Sequence, residues 1–355
     1  MSADVQNAHA IDTNALSAWL TQHLTGFKGP AQIEKFSGGQ SNPTYKITAA
    51  SGAYVLRTKP GPVAKLLPSA HAIEREFRVM KALAQTNVPV PRMHVLCEDE
   101  GVIGRAFYVM AFEDGRVFWN QALPDMAPPD RQGIYWAMHD ALCKLHCVDI
   151  NRIGLQDFGR PGNYFERQIN RWRQQYLASI TAEIPAMDAL MAWLPANLPA
   201  TALDPTLVSI VHGDFRLDNL IFQPAKNEVL AILDWELSTI GHPLADFSYH
   251  CMSWHIAPGA FRGIGGLDLV ALGIPTESEY IARYCSATGF ITPAQLAADW
   301  PFYMAYNLFR MAAILQGIAK RVEAGTASSE QARQSAAGAR PLAELGWSFA
   351  QTYKP

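Results

Sequence analysis

Three polar side chains interrupt two apolar runs at the points where strands should end. Ile210-Val211 leads into His212-Gly213-Asp214, and Asn219 follows after four more residues. Fourteen residues later, Ala231-Ile232-Leu233 leads into Asp234. Burying a carboxylate behind such a run is costly unless it is paired or holds a cation. Asp214 supplies a carboxylate free to act as a base. Asn219 and Asp234 supply an amide and a second carboxylate, hard oxygen donors suited to Mg2+. Phosphoryl transfer asks for little else: a positioned hydroxyl, a base near its proton, and metal on the phosphates.

Such residues need elements to hold them. Residues 11–24 have helical spacing, and strand-like pieces follow at 32–36, 44–48 and 53–58. The stretch 71–86 is an amphipathic helix with Ile73, Phe77, Met80 and Leu83 on one face. Two more strands are predicted at 93–98 and 106–112. Beyond Glu113-Asp114-Gly115, helical patterns dominate: 130–147, 163–179, 183–194, 276–288, 293–320 and 328–352. A single strand pair, 219–222 with 229–233, interrupts them. The small, polar stretch 323–340 reads as an exposed linker. The fold class expected is α+β and bilobal. Residues 1–112 form a small antiparallel-sheet lobe with a leading helix, and residues 113–355 a larger, mainly helical lobe.

Composition narrows the function. The 355 residues are 49% hydrophobic and 17% charged, which excludes a disordered chain. A net charge of -3 gives no global basic field for nucleic acid or an anionic membrane. No stretch approaches the roughly 18 apolar residues of a membrane span, and the polar N-terminus does not resemble a signal peptide. Five cysteines without a CxxC pair fit a reducing cytoplasm. Cys143 and Cys147 read as a small apolar helical pair. Neither an HExxH metal motif nor a GxSxG nucleophile elbow occurs.

The paired motifs His212-Gly-Asp214-(4)-Asn219 and Ile232-Leu-Asp-Trp-Glu236 resemble the signature of the aminoglycoside phosphotransferase/choline kinase family. The resemblance covers about residues 30–320 and implies a protein-kinase-like fold, with ATP and Mg2+ as cofactors. It implies that Asp214 is the catalytic base, that Asn219 and Asp234 bind Mg2+, and that His212 holds the loop. The active site would lie in the cleft between the lobes. The turn Ser37, Gly38, Gly39, Gln40, Ser41 and Asn42 sits between two strands, where backbone N–H groups can cover triphosphate oxygens. In the family a third-strand cation holds the α/β-phosphates and pairs with a helix glutamate. By that match the cation is Arg57, often lysine in the family, with Lys59 as a substitute two residues on. The glutamate is Glu76, while Glu74 faces solvent. The strand around Met110 and Phe112 would offer backbone to the adenine edge. His146 and Asp246 match scaffolding positions.

The acceptor is a small molecule bearing a hydroxyl. Polycationic aminoglycosides need an acidic pocket, yet residues 241–355 hold eight acidic and eight basic residues. An aromatic cage of Trp254, Trp300, Tyr303 and Tyr306 would suit choline or another amino alcohol. Arg152, Arg160, Arg167, Arg171 and Arg173 stand against only Asp157 and Glu166, which favours an anionic acceptor or one carrying phosphates. Three stretches, Tyr54–Pro60, Lys65–His71 and Asp234–Gly241, resemble the subgroup associated with acyl-CoA dehydrogenases. That subgroup implies phosphorylation of the hydroxyl of a hydroxyacyl-CoA. A non-catalytic ATP-binding regulatory module is the alternative of another class, and the intact Asp214/Asn219/Asp234 set argues against it. A protein kinase fits less well, because Trp-Glu follows Asp234 where Phe-Gly would be expected.

Overall fold

A computed structural model of the chain describes residues 11–36, 42–60, 72–160, 162–259, 261–326 and 330–354. The chain divides into two compact units, 1–116 with 220–237, and 117–219 with 238–355.

The first described element of the first unit is helix α1 (Thr13–His23), capped by Asp12, whose carboxylate accepts from the Asn14 and Ala15 N–H groups. Strands β1 (Gln32–Lys35), β2 (Thr44–Ala49) and β3 (Gly52–Thr58) follow. Helix α2 (Ile73–Leu83) comes next, then β4 (Met93–Cys97) and β5 (Phe107–Ala111). The five strands form one antiparallel sheet in the order β1-β2-β3-β5-β4. Side chains alternate across it with period two. Leu56, Phe107 and Val109 point to the face covered by Leu16, Leu20 and Phe27. Arg57 and Tyr108, paired directly across β3 and β5, point to the face where α2 supplies Glu76 and Phe77. Alternation alone therefore delivers Arg57 to Glu76.

A hairpin of β7 (Leu220–Phe222) and β8 (Val229–Ile232) belongs to this unit. The division expected near residue 112 had assigned it to the second lobe. The Ile232 N–H donates to the Pro89 carbonyl, and Arg116 pairs with Phe222, which ties the hairpin to the first unit. It ends at Asp234, whose φ of 64° is a left-handed conformation uncommon outside glycine.

The second unit is mainly helical. Its long helices are α3 (Pro128–His146), α4 (Tyr164–Leu177), α5 (Pro185–Ala196), α6 (Pro243–Cys251), α7 (Glu277–Thr288), α8 (Pro293–Glu323), α9 (Glu330–Ala337) and α10 (Ala339–Thr352). Helix α8 has a capping box at Thr292 and Gln295 and is buried along most of its middle, so it forms the core against which α4, α5, α6 and α10 pack. Within the stretch read as a linker, Glu330–Ala337 forms α9, in keeping with the helical pattern expected over 328–352. Its alanines and glutamines are good helix formers despite their low hydrophobicity. Strand β6 (Ser209–Val211) ends where the apolar run before His212 implied, but its partner β9 (Thr239–Gly241) was not expected. Three residues per strand are too few to show a period. All five cysteines are free, and no helix among the described residues is long and apolar enough to cross a membrane.

Candidate active site

In the second unit, β6 delivers the chain into His212-Gly213-Asp214. The loop is held from beneath by Asp246 in the first turn of α6. Its carboxylate accepts from the His212 N–H at 2.7 Å and the Gly213 N–H at 2.9 Å. Burial alone would push the Asp246 carboxyl up, but contacts with His146 and His212 outweigh it and hold it below the usual range. Gly213 has φ 84°, a conformation that costs glycine little. The His212 Nδ1 accepts from the Asp214 N–H at 3.2 Å, so this histidine holds the loop as expected. His146 is buried and contacts Tyr284 and Asp246.

The Asp214 carboxylate is ringed by donors. The Tyr249 hydroxyl donates to Oδ1 at 2.5 Å, the Asn219 Nδ2 donates to Oδ2 at 3.1 Å, and Arg216 Nη2 lies 2.9 Å from Oδ2. Burial first, then Asp214, raise the pKa of Tyr249, so its hydroxyl stays protonated and donating. Arg310 is buried between the rings of Trp172 and Tyr249 and donates to the Gly213 carbonyl at 2.5 Å. The structure thus brings Asp214 and Asn219 together. It adds Arg216, Tyr249 and Arg310, which were not singled out from the sequence. Arg216 stands inside the motif itself. Arg310 is a lone charge in the apolar middle of α8, and that incongruity is a readable signal.

In the first unit, Glu76 is buried at the centre of a second cluster. Arg57 Nε lies 2.9 Å from its Oε2, the Asn42 Nδ2 donates to Oε1 at 2.7 Å, and the Tyr108 hydroxyl donates to Oε2 at 3.1 Å. Arg57 Nη2 also donates to Asp234 Oδ1 at 2.7 Å and lies 3.7 Å from Glu236. Burial pushes the Glu76 carboxyl up to about 7, although Arg57 pulls the other way. Burial disfavours the charge on Arg57, yet Glu76, Tyr108, Asp234 and Glu236 outweigh it. The structure therefore joins Arg57, Glu76 and Asp234.

Lys59 differs. It lies beyond the end of β3 and pairs with Glu74 at 3.0 Å, both partly exposed. Asn42 differs too. Its side chain is buried and committed to Glu76, so it braces the acid and does not open toward a ligand. Ser37, Gly38, Gly39, Gln40 and Ser41 lie outside the described residues. Met110 sits inside β5 with a strand on each side, and Phe112 follows the strand's end with its ring 4.3 Å from Lys46 Nζ.

Two donors fit Mg2+. The Asn219 Nδ2 is spent on the Asp214 carbonyl and carboxylate, which leaves Oδ1 without a partner among the described residues. Asp234 spends Oδ1 on Arg57 and likewise keeps Oδ2. Each is a hard oxygen of the kind Mg2+ takes beside waters and phosphate oxygens.

Two acceptor features expected from the sequence are corrected. Trp254, Trp300, Tyr303 and Tyr306 form no cage. Each is buried in helix packing and satisfied there, as Trp254 by the Pro275 carbonyl and Trp300 by Glu277. The basic stretch 152–173 is partly spent on itself, because Arg167 donates to the Arg160 and Gly162 carbonyls.

The sequence pattern of the phosphotransferase enzyme family matches residues 32–297. The chain belongs to that family. It is 48% identical over 350 residues to the Mus musculus protein named acyl-CoA dehydrogenase family member 10, which covers 98% of this chain and 32% of that protein. The chain thus spans about a third of that relative's length. A crystal structure described as a candidate aminoglycoside phosphotransferase from Ralstonia eutropha superposes with a TM-score of 0.89 at 56% identity. That match covers 98% of this chain and 100% of the other. An amicoumacin kinase in complex with AMP-PNP, Ca2+ and Ami shares the fold, with a TM-score of 0.54 at 18% identity, covering 98% and 96%. The family read from the two motifs is borne out, as is the kinase-like α+β fold. The chain is thus a member of a phosphotransferase family.

The helix that supports the His212–Asp214 loop has a readable pH dependence. His242 caps α6, its Nδ1 accepting from the Leu244 N–H at 3.2 Å while its Nε2 donates to the Thr201 carbonyl at 2.9 Å. That pattern requires the neutral ring, and burial holds its pKa down to about 4. The unfolded chain, titrating near 6.5, binds the proton first. The stabilisation is therefore present above pH 6.5 and is lost as pH falls toward 4. One pKa unit is about 1.4 kcal/mol, so on the order of 2 kcal/mol should be gone at pH 5. Equal urea midpoints at pH 7.5 and pH 5 would contradict the neutral cap.

Proposed function

We propose that the protein transfers the γ-phosphoryl group of ATP, with Mg2+, to the hydroxyl of a hydroxyacyl-CoA. The observation that carries the phosphotransfer is Asp214, a partly buried carboxylate fixed by three donors at the end of a braced loop. Asp214 accepts the hydroxyl proton as the acceptor oxygen bonds to the γ-phosphorus and the bond from that phosphorus to the bridging oxygen of ADP breaks. The proton then passes to solvent. Arg57, oriented by Glu76, holds the α/β-phosphates, and Phe112, past its strand's end, offers the adenine contact more freely than Met110. Asn219 and Asp234 would hold Mg2+, which neutralises phosphate charge when bound.

The acyl-CoA acceptor is supported by the name of the relative that shares 48% of these residues. It is also supported by the pocket beside Asp214, where Arg216 and Arg262 carry positive charge. Such a wall disfavours aminoglycosides and choline, both cationic. The free cysteines are consistent with a cytoplasmic protein.

An acceptor screen coupled to ADP release tests the reading. The expected result is Mg2+-dependent turnover with a 4-hydroxyacyl-CoA well above the rate without acceptor. Turnover with amino alcohols or aminoglycosides but not with thioesters would refute it. ATP binding without turnover on any acceptor would favour the regulatory module.

A further inference from the structure

A recess of about 310 Å³, including space open to solvent, lies wholly within the second unit beside the catalytic base. Phe215, Met252 and Phe261 give it an apolar body, while Arg216, Arg262 and Tyr249 give it polar edges. Tyr249 and Arg216 are the groups that touch Asp214. Whatever fills the recess is therefore continuous with the hydroxyl being phosphorylated.

Arg262 is placed there at a cost. Phe261 and Arg262 have φ values of 30° and 59°, two successive side-chain-bearing residues in left-handed backbone. Such conformations are unfavourable and persist only where the surroundings enforce them. Here they do. The Ile264 N–H donates to the Ser253 carbonyl at 2.7 Å, and the Gly265 N–H to the Ile256 carbonyl at 2.8 Å. Gly263 is pressed so close that a Cβ would sit 1.9 Å from the Ile256 carbonyl oxygen. The loop is pinned directly after the arginine it presents.

The guanidinium is only half used. Its Nη2 donates to Asp218 Oδ2 at 2.7 Å, and no other bond from it is made among the described residues. Arg216 reaches toward the same Asp218 oxygen at 3.6 Å, so one buried carboxylate serves two cations. When Asp214 takes the acceptor's proton, its own charge is neutralised and the two cations are left with Asp218 alone, a positive excess. An oxygen acceptor on the substrate would meet that excess.

We propose that Arg262, helped by Arg216, reads an acyl oxygen of the acceptor a few bonds from its reacting hydroxyl, with the apolar chain against Phe215 and Phe261. This rests on the acyl-compound reading of the acceptor given above. The oxygen is the carbonyl of a thioester or one oxygen of a free carboxylate, and both present the same lone pairs to a guanidinium. Arg262 is thus a specificity residue.

The test compares three acceptors of equal chain length at saturating Mg-ATP: a 4-hydroxyacyl-CoA, its free 4-hydroxy acid, and the diol whose acyl carbon is reduced to CH2OH, which has no carbonyl or carboxylate oxygen and offers only a weaker hydroxyl acceptor. Wild-type protein should use at least one acyl compound with a KM roughly tenfold or more below that of the diol, the scale of one hydrogen bond to a charged group. Arg262→Gln should raise the acyl KM by a similar factor with little change in kcat, and should leave the diol's KM as it was. Arg262→Lys should recover part of the loss. Preference between thioester and acid identifies the source of the oxygen. If acyl compounds react but the diol is equally good, or Arg262→Gln changes neither KM, the Arg262 assignment falls while the acyl acceptor stands. If neither acyl compound reacts and another acceptor does, both fall. The wild-type comparison is decisive even if the variant's thermal midpoint drops.

Discussion

Asp214→Ala is expected to keep ATP binding and to lose phosphoryl transfer by roughly a thousandfold or more, the scale of a positioned general base. The loss follows from how the carboxylate is built in. Every polar contact it makes is with a donor: Tyr249, Asn219 and Arg216. Donors on both oxygens fix its rotamer, so the base is aimed before the acceptor arrives. Removing it unpairs those donors, at about 1–3 kcal/mol for a buried one, which a domain of ordinary stability survives. Asp214→Asn separates the two effects. It keeps the shape and loses the basicity, so it should be as inactive as alanine while melting closer to wild type. The nucleotide contacts proposed for Arg57 do not involve Asp214, so a titration of ATP binding should change little in either variant. Turnover in Asp214→Asn within a few-fold of wild type would remove this residue as the base.

Much of this was legible in the sequence because it is local. His212, Asp214 and Asn219 lie within eight consecutive residues, and a loop that short brings them together almost whatever surrounds it. The sheet was legible for a related reason. Period two places Arg57 and Tyr108 on one face, and helical spacing places Glu76 with Phe77 and Met80 against it. What was hidden depends on long-range placement. Tyr249 reaches Asp214 only because Asp246, three residues before it on α6, grips the loop. That helix was missed, because its start follows a three-residue strand whose partner lies 28 residues away. The aromatic cage failed for the opposite reason. Trp300, Tyr303 and Tyr306 share α8 while Trp254 stands apart, and all four are buried rings, which serve packing unless a cavity opens beside them. Arg262 could be seen only through its backbone, since a glycine-rich stretch does not announce which residue it strains to present.

The second large effect concerns the phosphate-gripping cation, for which the sequence offered both Arg57 and Lys59. Arg57→Ala should weaken ATP binding tenfold or more, while Lys59→Ala should change it less than about threefold. The contrast lies in what each cation holds. Lys59 pairs with Glu74 at a half-exposed edge, and such pairs contribute about 0–1 kcal/mol. Arg57 lies among Glu76, Asp234 and Glu236, and it is the sole cation in that cluster among the described residues. Deleting it leaves three carboxylates facing one another and the incoming phosphates. Removing one partner of a buried pair costs roughly 3–5 kcal/mol, so Arg57→Ala should also lower the thermal midpoint. Arg57→Lys tests whether charge alone suffices. An ammonium is one point of charge, whereas the guanidinium reaches Glu76 through Nε and Asp234 through Nη2 at once. Lysine should therefore restore stability better than affinity. Glu76→Gln supplies the converse: it keeps an acceptor for Asn42 and Tyr108 but frees Arg57 from its orienting charge. ATP binding should fall less than in Arg57→Ala, because the cation remains. If Lys59→Ala proves the more damaging of the two alanine variants, the assignment passes to Lys59, and the Arg57–Glu76 pair is a support for the sheet alone.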